Sequence, residues 1–471
     1  MTLVLGIDSS TQSTKALLTD ADTGKVVGEG RAAHPDGTEV DPAAWWQACQ
    51  DAIAQATAGS AEPPAAVSVA GQQHGMVAMD AAGQVVRPAL LWNDTRSADQ
   101  ARRLVQDGAG PAWWAEHTGS VPVASFTVTK LAWLAEHEPD NADRVAAVAL
   151  PHDWLTWQLA GRPERITTDR GDASGTGYFS PWTGAWLPEV LDAAFGGRRP
   201  RLPEVLGPAE PAGQTAHGAV PAAAGAVLAP GTGDNMAAAL ALGLGPGDVV
   251  VSLGTSGTVF ATVDTPAADA SGLVAGFCDA TGRYLPLVCT LNAARVLGAT
   301  AGMLGTDLAG LDALALRAEP GSGGLVMLPY LEGERTPDLP NATGTLVGLR
   351  GANMTPENLA RAAVEGMLCG LADGLAALRA TGVEVRRVLL IGGASRSSAV
   401  QAVAAGLFGV PVDVPDPDEY VALGAARQAA WVLAGGAEPP AWHRPSRTLE
   451  PTGDGTAVLG PYSAARQQVY G

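Results

Sequence analysis

The chain has 471 residues, more than one ordinary core uses, so two or at most three domains are expected, and two domains imply a cleft. Hydrophobic residues make up 46% and charged residues 16%, a balance that suits well-packed globular cores and excludes a disordered chain. With 29 Lys and Arg against 48 Asp and Glu the net charge is −19, which argues against nucleic acid and anionic membranes as partners and leaves any polyphosphate to be gripped locally.

The chain opens on an apolar run, residues 3–7, that ends in Asp8-Ser9-Ser10-Thr11 and is followed by a second run at 16–19, so residues 3–19 read as a β-hairpin with a hydroxyl-rich turn. The run is too short and lacks the basic flank of a signal peptide, and no stretch reaches the ~20 apolar residues of a membrane span. Cys49, Cys278, Cys289 and Cys369 are scattered without a Cys-x-x-Cys pair, which argues against a disulfide framework or a cysteine metal site and points to the cytoplasm. Helices are expected at 42–56 and 129–137, and strands at 66–70 and 146–150.

A second hairpin of the same make spans 249–262, with the turn Gly254-Thr255-Ser256-Gly257, so each half of the chain opens on strand, small-residue turn, strand. The stretch 243–247, Gly-Leu-Gly-Pro-Gly, is the natural hinge between the halves. Thr355-Pro356 starts a helix whose Leu359, Ala363, Met367, Leu371 and Leu375 recur every four residues, the spacing of a buried face. It leads to an apolar strand at 388–391 and then Gly392-Gly393-Ala394-Ser395. Strands alternating with helices give an α/β fold. The Pro-rich last ~30 residues are expected to wrap the surface.

Small-residue loops let backbone N–H groups approach phosphate oxygens, and Asp8 at the mouth of the first could hold hydrated Mg²⁺; an ordinary turn also explains it. The Gly pair 392–393 past a buried strand allows a nucleotide close to the backbone. No Gly-x-x-x-x-Gly-Lys-Ser/Thr motif is present, which disfavours a P-loop enzyme. Asp234, in the bend Gly231-Thr232-Gly233-Asp234-Asn235 before an Ala-rich helix starting near Met236, is either a helix N-cap or a general base for an attacking alcohol. Gln72-Gln73-His74 and Trp92-Asn93-Asp94 supply the mixed donors, acceptors and flat ring that suit a sugar, whereas His34, His117 and His443 are expected at the surface.

Taken in order, Gly6-Ile7-Asp8-Ser9-Ser10-Thr11, Gln73-His74, Trp92-Asn93-Asp94, Gly233-Asp234-Asn235, Ser252-Leu253-Gly254-Thr255-Ser256-Gly257 and Gly392-Gly393-Ala394-Ser395 resemble the FGGY carbohydrate kinase family, from residue 3 to about 435. Residues 125–134 resemble one of its signatures, and residues 328–337 are similar to a stretch typical of the branch that acts on D-xylulose. Ser10 stands where many members have Gly. The resemblance implies an α/β fold of two ribonuclease-H/actin-like domains flanking a central cleft, with residues 1–243 binding sugar and carrying the base and residues 248–471 binding ATP. It implies Asp234 as base, Asp8 on Mg²⁺, Gln73, His74 and Asn235 on the sugar, Thr11, Lys15, Thr255 and Gly257 on the phosphates, and Gly392 and Gly393 flanking the adenosine. The expected partners are ATP and a small-molecule sugar, D-xylulose first, with ribulose, gluconate and glycerol as same-family alternatives and an actin-like ATPase without a sugar acceptor as the distant one. The oligomeric state stays open, a homodimer among the options.

Overall fold

The computed structural model describes residues 1–106, 110–453 and 455–471. The chain packs as two compact units, one made of Met1–Gly243 with Val263–Leu285 and Glu419–His443, the other of Leu244–Thr262 with Pro286–Asp418 and Arg444–Gly471. Both are mixed α/β, the class expected from the sequence.

In the first unit the strands Leu3–Ser9 and Ser13–Asp20 form the expected antiparallel hairpin, with Asp8 opposite Lys15. The sheet runs Gly213–Gln214, Val227–Leu228, Ala66–Gly71, Leu3–Ser9, Ser13–Asp20, Val26–Ala33, and the short strand Thr232–Gly233 pairs with the end of Ala66–Gly71. The central strands are buried throughout, and apolar but for Asp8, Ser9 and Ser68, because both faces are covered. On one face the helix Pro42–Thr57, capped by Asp41, packs Trp45, Cys49 and Ile53 against Leu5, Val67 and Val69. On the other lies the late helix Tyr420–Ala434, whose Ala426, Ala429 and Ala430 meet Val4 and Ala66. That helix comes so close that a Cβ on Gly6 would collide with the carbonyl of Ala422, and one on Gly424 with the carbonyl of Ala237.

In the second unit Asp248–Leu253 and Gly257–Ala261 form the second expected hairpin, and Asp248–Leu253 pairs in parallel with Arg387–Ile391. Val412–Pro415 and Ser446–Leu449 extend that sheet. The helix Pro356–Ala380 starts at the Thr355 cap, whose hydroxyl accepts the Asn358 N–H, and buries Ala363, Met367, Leu371 and Leu375 as their spacing requires.

The C-terminal stretch runs as the mostly exposed strand Ser446–Leu449 and helix Thr456–Tyr470. Two expectations need correction. The helix after the Gly-rich bend starts at Asp234, with Gly233 as its N-cap, two residues before the expected Met236. His34 is buried and paired with the Thr14 hydroxyl at 2.8 Å, its partner lying across the sheet and out of local sequence view. The four cysteines are free thiols, and no helix among the described residues is long and apolar enough to cross a membrane.

Candidate active site

The site of the first unit is built at the C-terminal ends of neighbouring parallel strands, where α/β sheets carry their ligands. Ala66–Gly71 is flanked by Leu3–Ser9 on one side, Asp8 level with Ala70, and by Thr232–Gly233 on the other, Gly233 level with Gly71. Adjacent strands lie about 4.8 Å apart, so the two flanking strand ends stand roughly 10 Å apart. Asp8 is the last residue but one of the first, Asp234 follows the other directly, and Gln72, Gln73 and His74 leave the strand between.

Asp234 begins a helix, where the partial positive charge of the N-terminus favours its ionised form. Its Oδ1 accepts from both the backbone N–H and the side-chain Nδ2 of Asn235, each over 2.8 Å. Asn235 Nδ2 also donates to Gln73 Oε1 at 3.2 Å, so Asp234, Asn235 and Gln73 form one linked group. Burial of the carboxyl, reinforced by the negative charge of Asp8, nevertheless pushes the Asp234 pKa up to about 7. Burial likewise pushes Asp8 up to about 6, against the opposing charge of Lys15. A carboxylate that takes up a proton near neutrality has the affinity a general base needs.

Lys15 Nζ sits 3.7 Å from Asp8 Oδ2 and 2.6 Å from Glu419 Oε2. Thr11 accepts a hydrogen bond from Trp92 Nε1 at 2.9 Å, whereas Asp94 is engaged by Arg96 and Thr38. His74 stands in the left-handed region with φ 66°, its Nδ1 donating to the Gly175 carbonyl at 2.7 Å and its ring stacked on Phe126 at 4.7 Å. Among the described residues Asp8 Oδ1, both side-chain polar atoms of Gln72, Gln73 Nε2 and Asn93 Oδ1 are buried without a hydrogen-bond partner. Such orphans are costly unless a ligand satisfies them, and this mixed set matches a polyhydroxylated molecule. The Asp8 oxygen also suits a hydrated Mg²⁺, which takes one or two carboxylates and fills its shell with water and phosphate.

In the second unit Thr255 is exposed at the hairpin turn, its carbonyl accepting from Ala293 N–H. Gly257 lies in the strand, buried, where a Cβ would come within 2.7 Å of Leu371 and of the Thr290 hydroxyl. Gly392 has φ 89°, and a Cβ there would meet the Leu253 backbone at 2.7 Å, so only glycine fits. Around Gly393 no described atom lies within 4 Å of a Cβ position, which leaves its backbone open to a flat ligand.

The sequence did not announce a fully buried cluster behind this bend. His152 Nδ1 lies 2.7 Å from Asp172 Oδ2, and Nε2 lies 3.1 Å from Asp153 Oδ1. Asp169 accepts from the Thr232 hydroxyl at 2.7 Å, two residues before Asp234, and from the Gly171 and Asp172 N–H groups. Burial acts to lower the His152 pKa, but the charges of Asp153 and Asp172 and the bond to Asp172 overcome it and raise it to about 9. A second missed group is Lys130, wholly buried on the helix Thr127–His137. The string Pro151-His152-Asp153, charged residues inside an otherwise apolar run, was the available signal, whereas Asp169 and Asp172 lie in a polar stretch that gives none.

Residues 3–241 match the N-terminal domain model, and residues 249–433 the C-terminal domain model, of the FGGY family of carbohydrate kinases. The chain is 50% identical to a xylulose kinase of Streptomyces coelicolor, over 92% of this chain and 88% of that one, and 48% identical to one of Streptomyces rubiginosus, with the same shares. The crystal structure of xylulose kinase from Bifidobacterium adolescentis superposes with a TM-score of 0.88 at 45% identity, covering 99% of each chain. With both domain models matched in order, and relatives sharing about half its residues over nine-tenths of its length, the chain belongs to the FGGY family of carbohydrate kinases.

Proposed function

We propose that this sugar kinase transfers the γ-phosphoryl group of ATP to the 5-hydroxyl of D-xylulose, giving D-xylulose 5-phosphate and ADP. Its likeness to xylulose kinases at 50% and 48% identity supports the sugar. The observation that carries the chemistry is the Asp234 carboxylate, raised to about 7 and linked through Asn235 to Gln73. Asp234 takes the proton of the attacking hydroxyl, while Gln73, His74 and Asn235 hold the sugar by its other hydroxyls. In the first unit Thr11 and Lys15 serve the phosphates, Lys15 exchanging its carboxylate partners for phosphate oxygen. In the second unit Thr255 and the backbone at Gly257 serve the phosphates, and Gly392 and Gly393 flank the adenosine. Asp8 would hold Mg²⁺, which neutralises charge on the transferring group. A cytoplasmic location belongs to this reading and is supported by the free thiols.

Ribulose, gluconate and glycerol are the acceptors to set against D-xylulose. A buried partner left unpaired by the wrong sugar costs roughly 1–3 kcal/mol, about tenfold or more in rate. Coupled ADP-release assays should give D-xylulose at least about tenfold higher kcat/KM than D-ribulose and a larger margin over glycerol. Preference for gluconate or glycerol would overturn the sugar assignment. ADP release of equal rate without any sugar would overturn the proposed transfer.

A further inference from the structure

Lys130 lies in the signature-like stretch 125–134 and is one of the largest wholly buried side chains of the protein. Its ammonium donates to the carbonyl of His74 at 2.7 Å and to that of Ser125 at 2.6 Å. Thr127, on the same helix, adds a third donor to this pair of turns, its hydroxyl reaching the His74 carbonyl at 3.3 Å. The residue so gripped has φ 66°, a conformation that a β-substituted side chain rarely adopts unless its surroundings impose it. Its ring is fixed at the same time by the Gly175 carbonyl and by the face of Phe126.

A buried ammonium is a costly choice where an apolar side chain of equal length would fill the same space. Burial pushes the Lys130 pKa down to about 7, and Asp94, the charged group that opposes this, is itself engaged by Arg96 and Thr38. What the amine supplies, and methionine would not, is the grip on two carbonyl oxygens. We propose that Lys130 is a positioning residue for sugar recognition: it holds the left-handed backbone of His74 so that the imidazole meets the sugar hydroxyls in one fixed orientation. The proposal rests on the reading that His74 contacts the sugar.

The test compares Lys130→Met, His74→Ala and the double variant in the full-length enzyme, with D-xylulose and ATP varied separately and thermal unfolding measured alongside. Lys130→Met should raise the KM for D-xylulose at least about tenfold and leave the KM for ATP within about twofold, which a general loss of structure would not do. In the double variant the effect should not exceed that of His74→Ala by more than about twofold, because Lys130 acts through His74. If Lys130→Met leaves the sugar KM unchanged, or the two effects multiply, the proposal is overturned while the role of His74 stands. If His74→Ala alone leaves the sugar KM unchanged, the reading of His74 fails first, and the Lys130 proposal with it. Should Lys130→Met not fold, Lys130→Leu, which also lacks any donor, carries the same comparison.

Discussion

The side-chain amide of Gln428 accepts a hydrogen bond from the N–H of Gly231 at 3.1 Å and returns one to its carbonyl at 3.0 Å. The same Oε1 takes the Ser68 hydroxyl at 2.6 Å, so one buried amide ties the central strand to the bend that carries Asp234. On its other side Gly231 faces the His152 ring, leaving no room for a Cβ.

Gln428→Ala should therefore loosen the bend from three residues upstream of the proposed base, Asp234. Leaving these buried partners unpaired costs about 1–3 kcal/mol of stability. Turnover should fall about tenfold, with the KM for ATP within about twofold; denaturant unfolding and steady-state kinetics check both.

Asp234→Asn keeps the shape of the side chain and removes its ability to take a proton. Turnover should drop on the order of 10²–10⁴-fold with ATP binding retained. A variant keeping more than about a third of wild-type turnover at saturating sugar would return Asp234 to the role of a helix-start residue.

The acid limb of the turnover profile follows from the same group. As the proposed base, Asp234 would act only when ionised, so turnover should fall about tenfold per pH unit below about 7. Stability runs the opposite way. The folded state keeps the proton that the unfolded chain loses near 4, so this contribution is fully present below that value and is lost as pH rises through about 7. The gain in melting temperature from Asp234→Asn should thus be larger at pH 8 than at pH 5, and equal gains at both would refute the raised pKa.

His152 gives the converse test. Its pKa rises from the ordinary 6.5 to about 9 in the folded chain, so its stabilisation is complete below 6.5 and disappears as pH climbs past about 9. His152→Gln should lower the melting temperature strongly at pH 6 and much less at pH 9.5. A loss independent of pH would mean that the imidazole serves by packing alone.

What could be read from the sequence was what local pattern encodes. Both hairpins, the Thr355 cap and the strand before Gly392 each carry their signal within about ten residues. Asp8, Gln73 and Asp234 were legible because each closes a strand on a turn of small or polar residues, where a ligand can approach. His152, Asp169 and Asp172 were not, because they sit on separate elements that only the fold brings together. Lys130 was hidden for another reason: a lysine on an apolar helix reads as its solvated edge, and nothing local says that its ammonium ends against two carbonyls. His34 misled in the same way, its partner being Thr14 on the next strand. The return of residues 419–443 to the first unit likewise has no local mark.

That return governs how the protein comes off the ribosome. When residue 243 has been made, the face of the sheet bearing Val4, Gly6 and Ala66 still waits for Ala422, Ala426 and Ala429. At about 5–20 residues per second the covering helix arrives roughly 10–40 s later. Throughout that interval the nascent first half presents an uncovered apolar sheet, a natural target for chaperones. A chain cut at 243 keeps Asp8, Gln73, His74 and Asp234 but never acquires the helix that covers one face of the sheet beneath them, so the half proposed to bind the sugar is not a portable module.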